Sequence, residues 1–129
     1  MKFHMVPDAP TPVAPFSHAV ESDGFVFLTG MMPDTPQAAG VLPDGIADQT
    51  RNCMANLRTV LGSLGLTLAD VVSVRAYLTE FYRDYDGFND TYADFFPENR
   101  RPARTCIGVT GLAYGALVEI DMVARRPAD

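Results

Sequence analysis

Two residues near the carboxyl end of the chain have charged side chains that could do chemistry. Arg104 lies in the run Arg101-Pro102-Ala103-Arg104-Thr105-Cys106, and a planar guanidinium can hold a carboxylate through two parallel hydrogen bonds. Glu119 stands between Val118 and Ile120, where a partly buried carboxylate could hold and deprotonate a water molecule. The alternatives are a surface arginine in a basic loop and a strand glutamate that faces solvent.

The cysteines offer a third possible reactive group. Cys106 follows Arg104 by two residues, so the two side chains would share one face of a strand. A nucleophilic cysteine needs an adjacent base, and neither His4 nor His18 has a spacing that implies one. We therefore interpret Cys106 as a small apolar wall and Cys53 as a core residue on a helix. Two such cysteines make no disulfide framework, which favours a reducing cytoplasm.

Composition and charge exclude several other classes of function. The chain has 129 residues and a net charge of −6, which fits a single domain over residues 1–129 and argues against nucleic acid as a partner. No metal-ligand spacing and no glycine-rich phosphate loop occurs, so we expect neither metal nor cofactor. The proline-rich segment Met1 to Phe16 has no long apolar run. It predicts neither a secretory signal nor a membrane span.

The elements that would position these residues begin with a hairpin and a helix. Apolar and polar residues alternate over 16–21, and Ser22-Asp23-Gly24 predicts a turn into a second strand over 25–29. Residues 31–45 are rich in proline and glycine and indicate a loop. Apolar residues then recur at spacings of three and four, which predicts a helix over 46–64 with Asp44 as its cap and Gly65 as its stop.

The second half of the chain predicts a strand, a helix and two further strands. Alternation over 72–79 predicts the strand, aromatic residues at helical spacing predict a helix over 82–96, and strands follow at 103–109 and 117–124. The order ββαβαββ predicts an α+β fold with a single mixed sheet and two helices on one face. The opposite face would carry Val, Leu and Ile side chains, so we expect subunits to associate there.

Fragments spread along nearly the whole chain resemble the RidA (YjgF) family. The most specific are Arg101-Pro102-Ala103-Arg104-Thr105-Cys106 and the following Gly115-Ala116-Leu117-Val118-Glu119-Ile120. The others are Pro15-Phe16-Ser17-His18-Ala19-Val20, Phe27-Leu28-Thr29-Gly30, Asp48-Gln49-Thr50, Asn56-Leu57 with Leu61, and Phe88-Asn89-Asp90-Thr91-Tyr92 with Phe95-Phe96. Because these fragments keep the family's order and separations, the chain is identified as a member.

The resemblance implies an assembly and an activity. Members of the family have a chorismate-mutase-like fold and form homotrimers, in which three sheets make a central barrel and substrate clefts lie between neighbouring subunits. Members with the matching arginine hydrolyse 2-iminopropanoate and 2-iminobutanoate to 2-keto acids and ammonia. The resemblance therefore implies an imine or enamine deaminase whose partners are a small imino or enamine acid and two further copies of the chain.

The resemblance also assigns roles to individual residues. Arg104 matches the arginine that binds the substrate carboxylate, and Glu119 matches the glutamate that orients the water. The remaining positions match residues that line the substrate site, namely Phe16, Thr29, Gly30, Asn89 and Cys106. At position 30, a glycine would permit close approach of the backbone to the ligand. The plainer interpretations are that Thr29 and Gly30 lie where a strand ends in a loop, and that Asn89 lies on an exposed face of a helix.

Two departures from the family pattern keep different functions open. Phe16 stands where many close members have a tyrosine, and Leu112-Ala113-Tyr114 replaces the family's Leu-Pro. Ala14-Pro15-Phe16 also resembles the RutC branch, which implies aminoacrylate, a tautomer of iminopropanoate, as an alternative substrate. A trimer that binds small carboxylates without turnover stays possible. The older names of the family also leave open an endoribonuclease or a translation inhibitor.

Overall fold

Six strands form one sheet, and two helices lie on one of its faces. A computed structural model describes residues 1–128 of the chain. The helices are α1 (Ile46–Ser63) and α2 (Phe81–Ala93). The strands are β1 (Lys2–His4), β2 (Ala19–Ser22), β3 (Phe25–Met31), β4 (Val71–Leu78), β5 (Ala103–Gly108) and β6 (Val118–Arg125).

The sheet is mixed, as the sequence predicts. Its strand order is β1-β2-β3-β6-β4-β5. Only β4 and β5 pair in parallel, and the other neighbours are antiparallel. The crossover from β4 to β5 contains α2, as parallel neighbours require. This arrangement places β6, with Glu119, near the middle of the sheet and β5, with Arg104, at its edge.

The first helix follows from its apolar spacing and its final glycine. Its buried apolar residues are Cys53, Met54, Leu57, Val60 and Leu61. Gly65, at φ 74°, ends the helix, and the N–H groups of Gly65 and Leu66 donate to the carbonyls of Gly62 and Leu61 at 3.1 and 2.9 Å. Only glycine adopts this left-handed position without strain. The predicted stop is confirmed, but the predicted cap is wrong, because Gly45 rather than Asp44 precedes the helix.

The predicted elements differ from the structure by one additional strand and by shifted boundaries. The additional strand β1 makes the order βββαβαββ, and β2 begins at Ala19 rather than at residue 16. Three residues are too few to give a periodic signal, and β1 is a strand only because it pairs with β2. Helix α2 ends at Ala93 rather than at residue 96, since the residue before Pro97 is disfavoured in helical conformation.

The two faces of the sheet differ in what covers them. The helix-covered face carries alternate residues of β4 and β6 that are fully buried, such as Val74, Leu78 and Ile120. On the opposite face, which we call the open face, Phe27 is 49% exposed. Phe27 lies in one row across the strands with Phe3, Val20 and Val123.

The open face carries part of the expected set of Val, Leu and Ile side chains. Val20 and Val123 lie in the row with Phe27, and Ile107 stands opposite Tyr77. Neighbouring positions on β4 and β6 carry Arg75, Tyr77 and Asp121. The strand leucines Leu28 and Leu78 instead lie in the buried core, because their positions alternate with those of the open face. No helix within residues 1–128 combines the length and apolar character needed to cross a bilayer.

Candidate active site

Arg104 projects toward the helices. It lies opposite Val74 in the parallel pair of β4 and β5, and residues directly opposite each other project to the same face of a sheet. Val74 is buried under the helices, so the Arg104 side chain leaves the sheet on the helix-covered face. Because β5 is an edge strand, the guanidinium remains only partly buried.

Four side chains of α2 surround the Arg104 guanidinium. Nη1 donates a 2.7 Å hydrogen bond to Asn89 Oδ1, and Nη2 donates a longer one, at 3.4 Å, to the Tyr85 hydroxyl. The guanidinium carbon lies 5.6 and 5.1 Å from the ring centroids of Phe88 and Tyr92, within cation–π range. A guanidinium has five N–H donors, so donors remain for a carboxylate once these contacts have fixed its orientation.

The spacing of these four residues in the sequence explains why they meet. Tyr85, Phe88, Asn89 and Tyr92 are three or four positions apart, so they share one face of α2. The sequence predicted helical spacing for the aromatic residues but not their contact with Arg104. Asn89 is partly buried and bonded to Arg104, rather than a freely exposed helix residue.

Cys106 lies on the same face as Arg104. It stands opposite Ala76, which is fully buried. Burial raises the pKa of the Cys106 thiol, and the nearby charge of Arg104 opposes that effect without cancelling it. A thiol with a raised pKa is a poor nucleophile at neutral pH, which favours the interpretation of Cys106 as a wall residue.

Glu119 lies on the open face, opposite Tyr77 in the antiparallel pair of β4 and β6. Burial raises the pKa of the Glu119 carboxyl, and the charge of Asp121 raises it further. The carboxylate packs directly over Gly30: a Cβ atom at that position would overlap Glu119 Oε2 and lie 3.0 Å from its Cδ. A glycine is therefore needed at position 30 for the carboxylate to occupy its present place.

A hydrogen-bonded network that the sequence did not reveal lies next to Glu119. Arg75 Nε donates to Asp121 Oδ1 at 2.8 Å, and the Tyr77 hydroxyl donates to Asp121 Oδ2 at 3.0 Å. Arg75 stands opposite Asp121, and Tyr77 opposite Glu119. In the sequence, polar residues alternate with apolar ones in both strands, and this pattern could have indicated the network. The sequence does not show that β4 and β6 are neighbours, however.

The other predicted residues on the glutamate side lie where β3 changes register. The pairing of β3 with β6 shifts between Leu28 and Met31, and this irregular stretch contains Thr29 and Gly30. The Thr29 N–H donates to the His18 carbonyl at 2.9 Å. Phe16 is 41% exposed and lines a small cavity of about 30 Å³ together with Gly30.

His18 is a buried structural residue. Its Nδ1 accepts a hydrogen bond from the Val6 N–H at 2.8 Å, and its Nε2 lies 2.8 Å from the Pro10 carbonyl oxygen, which only a donor can satisfy. Both ring nitrogens are thus occupied in tying down the N-terminal segment. His18 therefore offers no free nitrogen to act as a base.

The predicted site residues fall into two groups within one copy of the chain. The arginine group, on the helix-covered face, consists of Arg104, Asn89 and Cys106. The glutamate group consists of Glu119 on the open face with the neighbouring residues Gly30, Thr29 and Phe16. The register of β4, β5 and β6 places the Arg104 and Glu119 side chains on opposite faces of one sheet.

Comparisons of the sequence with known proteins agree over nearly the full length. The model of the family described as Endoribonuclease L-PSP matches residues 6–126. A RutC family protein of Pyrococcus horikoshii is 34% identical over 119 residues, which cover 92% of this chain and 93% of that protein. TdcF of Escherichia coli, which has a provisional name as a reactive intermediate deaminase, is 30% identical over 122 residues, with 93% of each chain covered.

Solved structures give the same result for the fold. Escherichia coli TdcF with bound serine superposes with a TM-score of 0.89 at 27% identity, covering 98% of this chain and 100% of that chain. The Escherichia coli YjgF gene product gives the same TM-score, identity and coverage. The resemblance expected from the sequence fragments is thereby confirmed, and the chain belongs to the Endoribonuclease L-PSP family, which is the family of the RidA (YjgF) proteins.

Proposed function

We propose that the chain hydrolyses 2-imino acids and their enamine tautomers to 2-keto acids and ammonia, in clefts formed by neighbouring copies in a homotrimer. The observation that carries this proposal is the Arg104 guanidinium. Asn89, Tyr85 and two aromatic rings fix its orientation and leave donors free. A relative with a provisional deaminase name, TdcF, supports the same class of reaction.

Substrate binding begins with the carboxylate. Two parallel hydrogen bonds from Arg104 would fix the carboxylate and, with it, the adjacent C2 carbon that water must attack. Cys106 lies on the same strand face two residues further along, and would limit how far the substrate can move along the strand. The thiol takes no part in bond formation.

Hydrolysis needs one base that later acts as an acid. Glu119 would take a proton from the water as its oxygen adds to C2 of the protonated imine, giving a tetrahedral amino alcohol. Glu119 then returns the proton to nitrogen, the hydroxyl oxygen forms the keto group as the C–N bond breaks, and the departing ammonia takes the hydroxyl proton. The products are the keto acid and ammonium. A carboxyl whose pKa is raised by burial suits both transfers.

The opposite placement of the two groups favours a site shared between copies. A single copy directs Arg104 and Glu119 to different faces of its sheet, so the guanidinium of one copy would meet the carboxylate of its neighbour. The partly exposed row of Phe3, Val20, Phe27 and Val123 on the open face gives neighbouring copies an apolar surface to bury. Light scattering at micromolar concentration should give the mass of a trimer, and a monomer would contradict the proposal.

The activity is tested by generating imines in the presence of the protein. An amino-acid oxidase would produce 2-iminopropanoate and 2-iminobutanoate, with aminoacrylate tested alongside because relatives have RutC family names. We expect the protein to accelerate keto acid formation from each. Tight binding of keto acids without acceleration of imine hydrolysis would instead support a trimer that binds carboxylates but does not catalyse. The observation that favours this alternative is Phe16, which lacks the hydroxyl of a tyrosine at the same position.

The shared cleft is tested by mixing two inactive variants. Arg104→Ala and Glu119→Gln would be inactive alone, but in co-assembled trimers about a quarter of the sites combine an intact arginine with an intact glutamate from the neighbour. We expect co-expression to restore roughly that fraction of activity. If the assembled mixture stays inactive, the site does not draw on two copies.

A further inference from the structure

A cleft extends beyond Arg104 between α2 and the segment that enters β5. Its volume is about 390 Å³, and its lining residues are Asn89, Tyr92, Ala93, Arg101, Pro102 and Arg104. None of these lining residues is acidic, although the chain as a whole has a net charge of −6. Within residues 1–128, neither Arg101 nor Arg104 forms an ion pair with a carboxylate. The cleft therefore holds two positive charges that no carboxylate of the described chain neutralises.

A second, independent observation is the hydroxyl of Tyr92, one of the residues that line this cleft. Tyr92 is 6% exposed, and its hydroxyl is buried without a hydrogen-bond partner among the described residues. An unsatisfied buried hydroxyl costs free energy that an incoming acceptor would recover. Burial raises the pKa of Tyr92 to about 12, against the opposing charges of Arg104 and Arg101. At neutral pH this hydroxyl is therefore a hydrogen-bond donor near both guanidinium groups.

We propose that Arg101 and the Tyr92 hydroxyl form a second anion-binding subsite, so that the preferred substrates are 2-imino dicarboxylates rather than 2-imino monocarboxylates. This inference rests on the proposed function, since it assigns the first carboxylate to Arg104. The second carboxylate, at the far end of a short side chain, would accept hydrogen bonds from Tyr92 and from Arg101 at the rim of the cleft. Such charge-assisted bonds are stronger than bonds between neutral groups.

The chain offers a matched control for Arg101. Arg100 is its sequence neighbour and is also exposed, but it does not line this cleft, and its Nη2 donates to the Ala69 carbonyl at 3.2 Å. Arg100→Ala removes the same charge from the same loop. A general effect of charge on anion binding would appear in both variants, whereas a specific subsite would appear only in Arg101→Ala.

The test compares two ligands that differ only in the second carboxylate. The imines of glutamate and of 2-aminopentanoate would be generated in situ, and binding of the corresponding keto acids, 2-oxoglutarate and 2-oxopentanoate, would be measured by calorimetry on the assembled protein. We expect kcat/KM to be at least tenfold higher for the imine of glutamate than for that of 2-aminopentanoate, and Kd to be at least tenfold lower for 2-oxoglutarate than for 2-oxopentanoate. Arg101→Ala should lower this preference by about tenfold, Tyr92→Phe should lower it several-fold, and Arg100→Ala should leave it in place.

Each outcome decides one of the two proposals. Equal kcat/KM for both imines, or a preference that Arg101→Ala and Tyr92→Phe leave intact, would overturn the subsite while the deaminase function stands. If no imine is hydrolysed, the deaminase function fails. Calorimetry then still tests the subsite. A preference for 2-oxoglutarate that is lost in Arg101→Ala but kept in Arg100→Ala would support it, and any other result would overturn it. Thermal unfolding of each variant separates a binding defect from a folding defect.

Discussion

The two groups of site residues differ in how completely one copy of the chain positions them. Arg104 is held by four side chains from the single helix α2, so one copy fixes the guanidinium. Glu119 lies on the open face, where it packs against Gly30, and the same face also carries exposed residues such as Phe27. The surroundings of the carboxylate therefore depend on what packs against the open face.

In the proposed mechanism this difference corresponds to a division of tasks between the two groups. Binding a carboxylate requires a rigid, well-oriented cation, which the helix-covered face provides within one copy. Moving a proton requires a carboxyl group with a raised pKa, and the burial that raises it would increase further when a second copy covers the open face. Substitutions that change one of the two groups and leave the other intact can therefore separate binding from proton transfer.

The largest effect should come from Arg104→Ala. Each charge-assisted hydrogen bond contributes roughly 1.5–3 kcal/mol, so the loss of two such bonds should lower kcat/KM for imine hydrolysis by a hundredfold or more. Arg104→Lys should recover little activity, because an ammonium lacks the planar pair of donors. Steady-state kinetics with imines generated in situ provide the measurement. Near wild-type kcat/KM in an intact trimer would show that Arg104 does not bind the substrate.

A smaller but still large effect is expected on the glutamate side from Gly30→Ala. The added methyl group would displace the Glu119 carboxylate, which is the end of a flexible side chain and can move without unfolding the protein. A displacement on the order of 1 Å can lower the rate by as much as a hundredfold, so we expect kcat/KM to fall roughly tenfold to a hundredfold while the melting temperature changes little. Gly62→Ala is the control, since a Cβ atom there has open space. Unchanged kinetics would show that the present position of Glu119 is not the active one.

Asp121→Asn should change the pH dependence more than the maximal rate. In the proposed mechanism Glu119 acts as a base only when ionised, so activity should be lost as the pH falls through its raised pKa. Removing the charge of Asp121 lowers that pKa, and the acidic limb of the profile of kcat/KM against pH should move to lower pH. Asp48→Asn, which alters an exposed carboxylate paired with Arg51, should not move it. A shift to higher pH, or no shift, would show that Asp121 does not act on Glu119.

The smallest effect should come from Cys106→Ala. The raised pKa of the thiol keeps it protonated at neutral pH, and its expected role is steric. We expect Cys106→Ala to retain a substantial fraction of the wild-type kcat/KM, because the thiol forms no bond to the substrate in the proposed mechanism. Complete loss of activity with the trimer intact would instead indicate thiolate chemistry at Cys106.

The local elements and the family could be predicted from the order of residues along the chain. Apolar spacing and the following glycine predict α1 and its stop at Gly65, because the apolar residues of a helix that packs on one face must repeat every three or four positions. The alternation of β4 and β6 specified which of their residues share a face. The fragments around Arg104 and Glu119 were specific enough to identify the family, since they depend on residue order and not on packing.

Which of these elements become neighbours is settled by tertiary packing. A short strand such as β1 has no periodic signal, and it forms because β2 offers it backbone partners. The parallel pairing of β5 with β4, and the antiparallel pairing of β6 with the same strand, set Arg104 and Glu119 on opposite faces. The contacts of Arg104 with α2 and of Glu119 with Gly30 likewise join residues far apart in the chain. Such contacts depend on strand register and helix packing, and one sequence read locally does not specify either.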